Sequence, residues 1–442
     1  MAINGLPIRS KLADEAKAQA PRFEKLREWS KLIAITGSAQ VIVQAIGFLC
    51  GLLVIRLLPV EEYGFYTITN TMLGTMTLLA DGGVASGVMS QGGKVWQDKC
   101  KLGSVLATGM KLRRQFAGYS LLVSIPILYY LLHRQGASWI TSTMLIVSLL
   151  PAFFSVLSGK LLEISAKLHQ DVGALQNIQV TSNALRLALS AVTIFVFPFA
   201  AVPVVVSGIA QVYGNWRLRK VSRRFADDSQ NEDQEVRKEI LLIVKRVLPS
   251  AIYFSISLQL GVWLLSFFGS TESVAQLGAI GRITMVVGIL TTVFAYLVAP
   301  RFARLPESIS LLRMHFVRIQ VILIAVCLLG YAIAYLTTDY VLAILPDEYS
   351  GLTYAFRLQV AISGFSVIIG SLSALNASRG YVMPPTIHIP LNLAIVATTA
   401  AIFQPTTLIA VLYLDLTRAA IAPIVQNAVF FSHVRRTTTE NG

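Results

Sequence analysis

Long apolar stretches follow one another along almost the whole chain, and they constrain it more than any motif does. Twelve are of bilayer-spanning length, at 32–58, 63–91, 116–132, 140–163, 177–197, 199–216, 246–268, 275–299, 316–336, 352–375, 386–403 and 406–431. The hydrocarbon core of a membrane takes about 20 residues of helix to cross. The third stretch is short, and the fifth and sixth are divided only by Pro198 and its neighbours. Over 442 residues, 55% are hydrophobic and 14% are charged, where a soluble domain carries about 25% charged residues. One water-soluble core cannot hide that much apolar surface. A cytosolic enzyme, a disordered chain and a secreted disulfide scaffold are therefore excluded. The expected fold is an all-α polytopic membrane protein of about 12 transmembrane helices.

The net charge of +14 would suggest nucleic acid on a soluble protein. Here its distribution points elsewhere. With the N-terminus inside, 30 of the 37 Lys and Arg residues fall on inner loops, termini and inner span edges, two on outer loops or outer span edges and five deeper within spans. By the positive-inside rule both termini are cytoplasmic, the span number is even, and no nucleic-acid partner is expected. Residues 1–31 lack the apolar core of a cleavable signal. Phe23, Leu26 and Trp29 recur there at helical spacing among charges, which predicts an amphipathic segment lying at the cytoplasmic interface. Cys50, Cys100 and Cys327 are scattered, the five His residues show no metal-ligand spacing, and there is no Walker A motif. No cofactor or metal is expected. The outer loops are too short for a catalytic domain, so the chain is not expected to be an enzyme.

The polar stretch around 217–245 divides the chain into equal parts. The expected organisation is an N-lobe at 32–216 with spans 1–6, a charged cytoplasmic linker at 217–245, a C-lobe at 246–431 with spans 7–12, and a cytoplasmic tail at 432–442. Superposing Gly64 on Gly278 aligns the first hairpin of each half. Both halves begin inside, so the two six-helix lobes are related by a pseudo-twofold axis along the membrane normal, an architecture common among transporters.

Polar groups inside a membrane should face protein or water. Span 1 carries Thr36, Gln40, Gln44, Gly47 and Gly51 on one face. Span 2 carries Thr67, Asn70, Gly74, Thr77 and Asp81; span 5 carries Gln179, Ser182, Arg186 and Ser190; span 10 carries Gln359, Ser363, Ser366, Gly370 and Ser373. Helix packing explains the small residues, and Gly47 with Gly51 reads as a GxxxG contact. The amides and charges suit a water-filled cavity. Arg186 lies too deep to snorkel easily, and Arg282 lies within span 8. Asp415 and Arg418 are spaced to pair with each other, as are Lys160 and Glu163. Asp81 has two readings, an exposed role on its polar stripe or a pair with an Arg. Unpaired Arg in a cavity favours an anionic solute, because guanidinium matches phosphate bidentately.

The run Arg56-Leu-Leu-Pro-Val-Glu-Glu-Tyr-Gly-Phe-Tyr66, followed by a polar span ending Leu-Leu-Ala-Asp81-Gly-Gly-Val-Ala-Ser86, resembles the N-terminal signature of Wzx-type polysaccharide and O-antigen flippases of the multidrug/oligosaccharidyl-lipid/polysaccharide exporter (MOP) superfamily. Val341-Leu-Ala-Ile-Leu-Pro-Asp-Glu-Tyr-Ser350 resembles an outer-loop motif of the same family, with Leu345-Pro346 in place of its usual Phe-Gly. The resemblance implies a bacterial inner-membrane protein that moves undecaprenyl-diphosphate-linked oligosaccharide, the repeat unit of a surface or exopolysaccharide, by alternating access. It implies partners among polysaccharide polymerase and export machinery as well as membrane lipids. Arg186, Arg282, Arg418, Asp81, Asn70 and Gln44 are the candidate substrate-binding residues, and Asp81 and Asp415 the candidate ion-coupling groups. Two alternatives stay open: a cation-coupled multidrug exporter of the same superfamily, and a membrane glycan polymerase or ligase.

Overall fold

A computed structural model describes residues 41–298, 301–302, 305, 308–379, 381 and 383–440. The expected amphipathic segment at 1–31, and Thr36 and Gln40 of the first polar stripe, lie outside the described residues. Among those described, the chain is helical throughout. The helices are α1 (Val41–Leu57), α2 (Val60–Asp81), α3 (Val84–Val95), α4 (Lys99–Arg134), α5 (Trp139–Leu168), α6 (Val172–Val196), α7 (Ala201–Phe225), α8 (Gln234–Ser257), α9 (Leu260–Phe268), α10 (Thr271–Thr284), α11 (Gly288–Leu297), α12 (Ile309–Leu336), α13 (Thr338–Leu342), α14 (Thr353–Ser378), α15 (Pro385–Phe403) and α16 (Leu408–Glu440).

Nine of the described helical stretches are long and apolar enough to cross a membrane, or ten if α2 and α3 count as one bent span. Each expected span coincides with a helix or a helix pair, and the two missing from that count have physical reasons. α1 is described only from Val41, and the second half of α7 is rich in Arg and Lys. Three spans are broken. α2 and α3 meet at 44°, across Gly82 and Gly83 at φ 48° and 96°, a left-handed backbone that glycine adopts without penalty. α8 stops at Ser257 before α9, and α10 passes through one 3₁₀ turn, Met285–Val287, before α11. The expected short third span is a 36-residue helix, about 54 Å long at 1.5 Å per residue. Its first half looks polar, yet Leu102, Val105, Leu106, Leu112 and Arg113 are buried at helical spacing.

Two lobes follow the sequence halves. The strongest packing within the first is α5 on α7; within the second it is α14 on α16. These are spans four and six and spans ten and twelve, the same positions in both halves. The main apolar core runs between the lobes and includes Tyr63, Phe153, Leu265, Tyr349 and Leu412. Phe316 and Phe430 stack at 3.6 Å in a separate core of the second lobe.

The 217–245 segment, expected as a linker, is mostly helix. α7 runs on to Phe225 and α8 begins at Gln234, leaving 226–233 between them. That short strap is docked along α4. Asp227 N–H donates to the Lys99 carbonyl at 3.0 Å, Ser104 Oγ to the Asn231 carbonyl at 2.9 Å, and Asp233 N–H to Thr108 Oγ1 at 2.9 Å. Lys111 pairs with Glu232. We call this the basic end of the bundle. The expected tail at 432–442 continues α16 as far as Glu440.

Candidate functional site

The two lobes meet through the glycines that align them in sequence. α2 and α10 cross so closely that a Cβ on Gly64 would lie 2.5 Å from Thr271 Cγ2, and one on Gly278 would lie 2.7 Å from Thr67 Oγ1. The same end of the bundle, opposite the basic end, is clasped by Gln135, which is buried. Its Nε2 donates to the Ser266 carbonyl at 2.8 Å, and its Oε1 accepts from Thr271 Oγ1 at 2.8 Å. Arg56 Nε donates to the Ile344 carbonyl at 2.7 Å, tying the two resemblance motifs together across the lobes.

α1 presents its glycine face to two cations. A Cβ on Gly47 would sit 3.9 Å from Arg186 Nη2, and one on Gly51 would sit 3.3 Å from Arg282 Cδ. The two glycines are one turn apart, about 6 Å along the axis. The spacing expected as a helix–helix GxxxG contact thus makes room for two guanidinium side chains, one from each lobe. Cys50, between those glycines, faces Ser190 of α6 with Sγ and Oγ 3.7 Å apart. Arg282 is half-buried, with Tyr63 and Tyr66 of α2 beside it. Gln44 lies on the same α1 face, half-buried. Asn70 is exposed on α2, between Thr67, which meets Gly278, and Gly74, where a Cβ would lie 3.6 Å from Gln259 Nε2 at the α8–α9 break. Asn70 thus lies on the side of α2 that approaches the second lobe.

Arg186 also lines a polar cavity of about 290 Å³ inside the first lobe, between α5, α6 and α7, with Lys160, Glu163, Gln179, Asn183 and Asn215. Arg186 Nε, Ser182 Oγ and Asn215 Oδ1 are buried there without hydrogen-bond partners. Orphaned polar atoms around a hollow mark a place for water or a polar ligand. Glu163 is not paired with Lys160 as its spacing suggested. It binds Lys167 one turn on, at 2.7 Å, and Lys160 has no ion pair among the described residues.

The remaining candidates are neutralised locally. Asp81 pairs with Arg113 of α4 and accepts from Ala85 N–H at the start of α3. Arg113, counted above among the inner-loop cations, is 2% exposed and also donates to the Leu157 carbonyl of α5. The pair pins the broken second span to two neighbours. Sequence reasoning missed Arg113; the buried periodicity of α4 was the signal for it. Asp415 and Arg418 pair with each other at 3.0 Å on α16, with Asp415 against Gly261 of α9. Arg357 lies over the Tyr335 ring at 3.8 Å. Among the described residues, no cluster of His, Cys, Asp and Glu could hold a metal ion.

No protein-family model matches the chain, and no curated protein matches it significantly in sequence. Solved structures do. An inward-facing multidrug resistance MATE family transporter of the MOP superfamily aligns over 89% of this chain and 96% of its own, with TM-score 0.69 and 16% identity. The chain has the MATE transporter fold. The eukaryotic MATE transporter AtDTX14 covers 93% of this chain and 98% of its own at TM-score 0.62 and 15% identity. A Pyrococcus furiosus MOP superfamily transporter, described as having a binding pocket of reverse polarity that suggests a different function, covers 92% and 96% at TM-score 0.60 and 15% identity. The MATE fold, the two lobes and the long apolar helices make this a multi-pass membrane protein with the architecture of a transporter.

Proposed function

We propose that this protein exports an anionic amphiphile, a polyprenyl-diphosphate-linked oligosaccharide, across the bacterial inner membrane by alternating access between its two lobes. The observation that carries the reading is the charge balance around α1. Asp81 and Asp415 are held by their own Arg partners, while Arg186 and Arg282 converge on the α1 glycine face with no carboxylate bound to either among the described residues. Cations without counter-charges attract anions, and guanidinium is suited to a diphosphate. The amide-rich cavity beside Arg186 suits sugar hydroxyls, and the lipid tail stays in the bilayer. A cationic drug, the cargo suggested by the multidrug neighbours, would find unpaired positive charge where it needs unpaired negative charge. Both termini and the basic end face the cytoplasm in this reading, as the Lys and Arg distribution expects, and the clasped end faces outward.

The test is transport in proteoliposomes holding the full chain and a lipid-linked oligosaccharide, followed by the fraction of sugar that becomes accessible to an external glycan-cleaving enzyme. Arg186→Ala and Arg282→Ala should each lower the rate at least about tenfold at equal reconstitution, and Arg186→Lys should recover part of it, since Lys keeps the charge but loses the fork. Export of a cationic dye, with no movement of the lipid-linked sugar, would replace this reading with the multidrug one.

A further inference from the structure

The outer face of the first lobe carries a second cationic feature that neither the lobe interface nor the Arg186 cavity uses. A cleft of about 490 Å³ opens between α6 and α7 at the basic end, lined by Arg217, Lys220, Arg224, Trp216, Asn177 and the first turn of α6. No acidic side chain lines it, and none of its three cations has an ion pair among the described residues. The acids nearest along the chain are engaged elsewhere: Asp171 caps α6 by accepting from Ala174 N–H at 3.3 Å, Asp227 accepts from Ser229 and Gln230, and Asp228 pairs with Arg223 at 2.6 Å. Arg217 and Lys220 are held by neutral partners instead. Arg217 donates to Thr181 Oγ1 at 2.8 Å and to Asn177 Oδ1 at 3.0 Å, and Lys220 Nζ sits 3.4 Å from the centre of the Trp216 ring. Three positive groups are thus gathered within two turns of helix with no negative group to justify their closeness.

The same face of α7 continues as apolar surface. Val205, Ile209 and Val212 are exposed, Trp216 is 55% exposed, and Lys220 and Arg224 follow at the same spacing. From Val205 to Trp216 is about 17 Å of helix, about half of a bilayer core roughly 30 Å thick. The order from the centre outward is therefore one leaflet's depth of apolar surface, an interfacial Trp, then cations. That is the order of acyl chain, glycerol region and phosphate in a membrane lipid.

We propose that the α6–α7 cleft binds the phosphate headgroup of an anionic lipid, with the lipid chain lying along Val205, Ile209 and Val212. The site does not depend on what the protein transports. The phosphate can belong to an ordinary phospholipid or to a polyprenyl diphosphate, and the two sources are separable by experiment.

The experiment uses the full chain, purified in detergent and offered phosphatidylglycerol, phosphatidylcholine, a polyprenyl diphosphate or inorganic phosphate, with retained ligand counted by native mass spectrometry. Phosphatidylglycerol should be retained over phosphatidylcholine, and the R217Q/K220Q/R224Q variant should bind it at least about tenfold more weakly. Trp216→Ala should weaken lipid retention too, while leaving the cations in place. A control, K238Q/K245Q, removes two exposed charges of α8 outside the cleft and should bind as the parent does. Stronger retention of polyprenyl diphosphate, lost in the triple variant, would support the site and assign it to the carrier lipid. Equal loss in the control would reduce the site to diffuse charge and overturn the proposal. So would retention unchanged in the triple variant, or inorganic phosphate competing as well as the lipids do.

Discussion

At the scale of single residues, two ion pairs inside the membrane differ in kind. Asp415 and Arg418 are three apart on one helix, so the sequence made their pairing legible. Asp81 and Arg113 are 32 apart on different helices; the sequence offered Asp81 an exposed role or a pair with an unnamed Arg, and only packing names Arg113. The same limit hid the meeting of Gly47 with Arg186 and of Gly51 with Arg282, because a glycine stripe predicts close approach without saying what approaches. The self-contained pair leads to a specific expectation. Asp415→Ala or Arg418→Ala alone leaves one charge in the membrane without its partner, a loss of about 3–5 kcal/mol when a buried pair is broken, and folded protein recovered from membranes should fall. The double alanine variant removes both charges and should recover the parent's level. If it also recovers export, the pair is structural; abundance without export would give Arg418 a contact with the substrate. Single variants as abundant as the parent would mean that the charges reach water.

At the scale of elements, helix existence was legible and helix continuity was not. Apolar length predicts a span, but the breaks at Gly82–Gly83, at Leu258–Gln259 and at the Met285–Val287 turn lie within apolar or mildly polar sequence that periodicity reads through. The strap between α7 and α8 shows the opposite error. Its Asp and Glu residues look solvated, yet they bind α4 through backbone and side chain. Asp227 is half-buried and holds the turn by accepting from Gln230 Nε2, Ser229 Oγ and Ser229 N–H. Those bonds, the Gln230 one foremost, keep its carboxyl below the ordinary value of 3.8. A depressed carboxylate contributes stability that is complete above its unfolded pKa and is lost as pH falls through its lower folded value. Hydrogen exchange across 226–233, corrected for intrinsic rates, should therefore be level between about pH 5 and 7 and should rise only once the pH drops below about 4. Asp227→Ala should raise it at neutral pH. Loss of protection already near pH 6 would point to a different titrating group.

At the scale of the whole molecule, the sequence halves, their parallel relation and their contact through aligned glycines all express one repeated unit, so the lobes were legible; what closes one end of the cleft was not. Gln135 lies between spans with no motif around it, and it clasps α9 and α10 only because the fold brings them together. The proposed alternating access requires that this closed end open, so under that reading locking it should stop transport. Gly278 is the better anchor for a lock. A Cβ there would lie 3.4 Å from Thr67 Cβ and has that side chain as its nearest neighbour, whereas one on Gly64 would run into the Thr271 carbonyl at 2.8 Å. Disulfides hold their Cβ atoms about 3.5–4.5 Å apart. With Cys50, Cys100 and Cys327 replaced by Ala, Thr67→Cys with Gly278→Cys should cross-link under mild oxidation, halt export of the lipid-linked sugar, and release it again with reductant. Each single cysteine variant, treated identically, should be insensitive to the oxidant. Export that continues through the cross-linked protein would mean that α2 and α10 never separate, and the solute would then need a path that leaves this crossing closed.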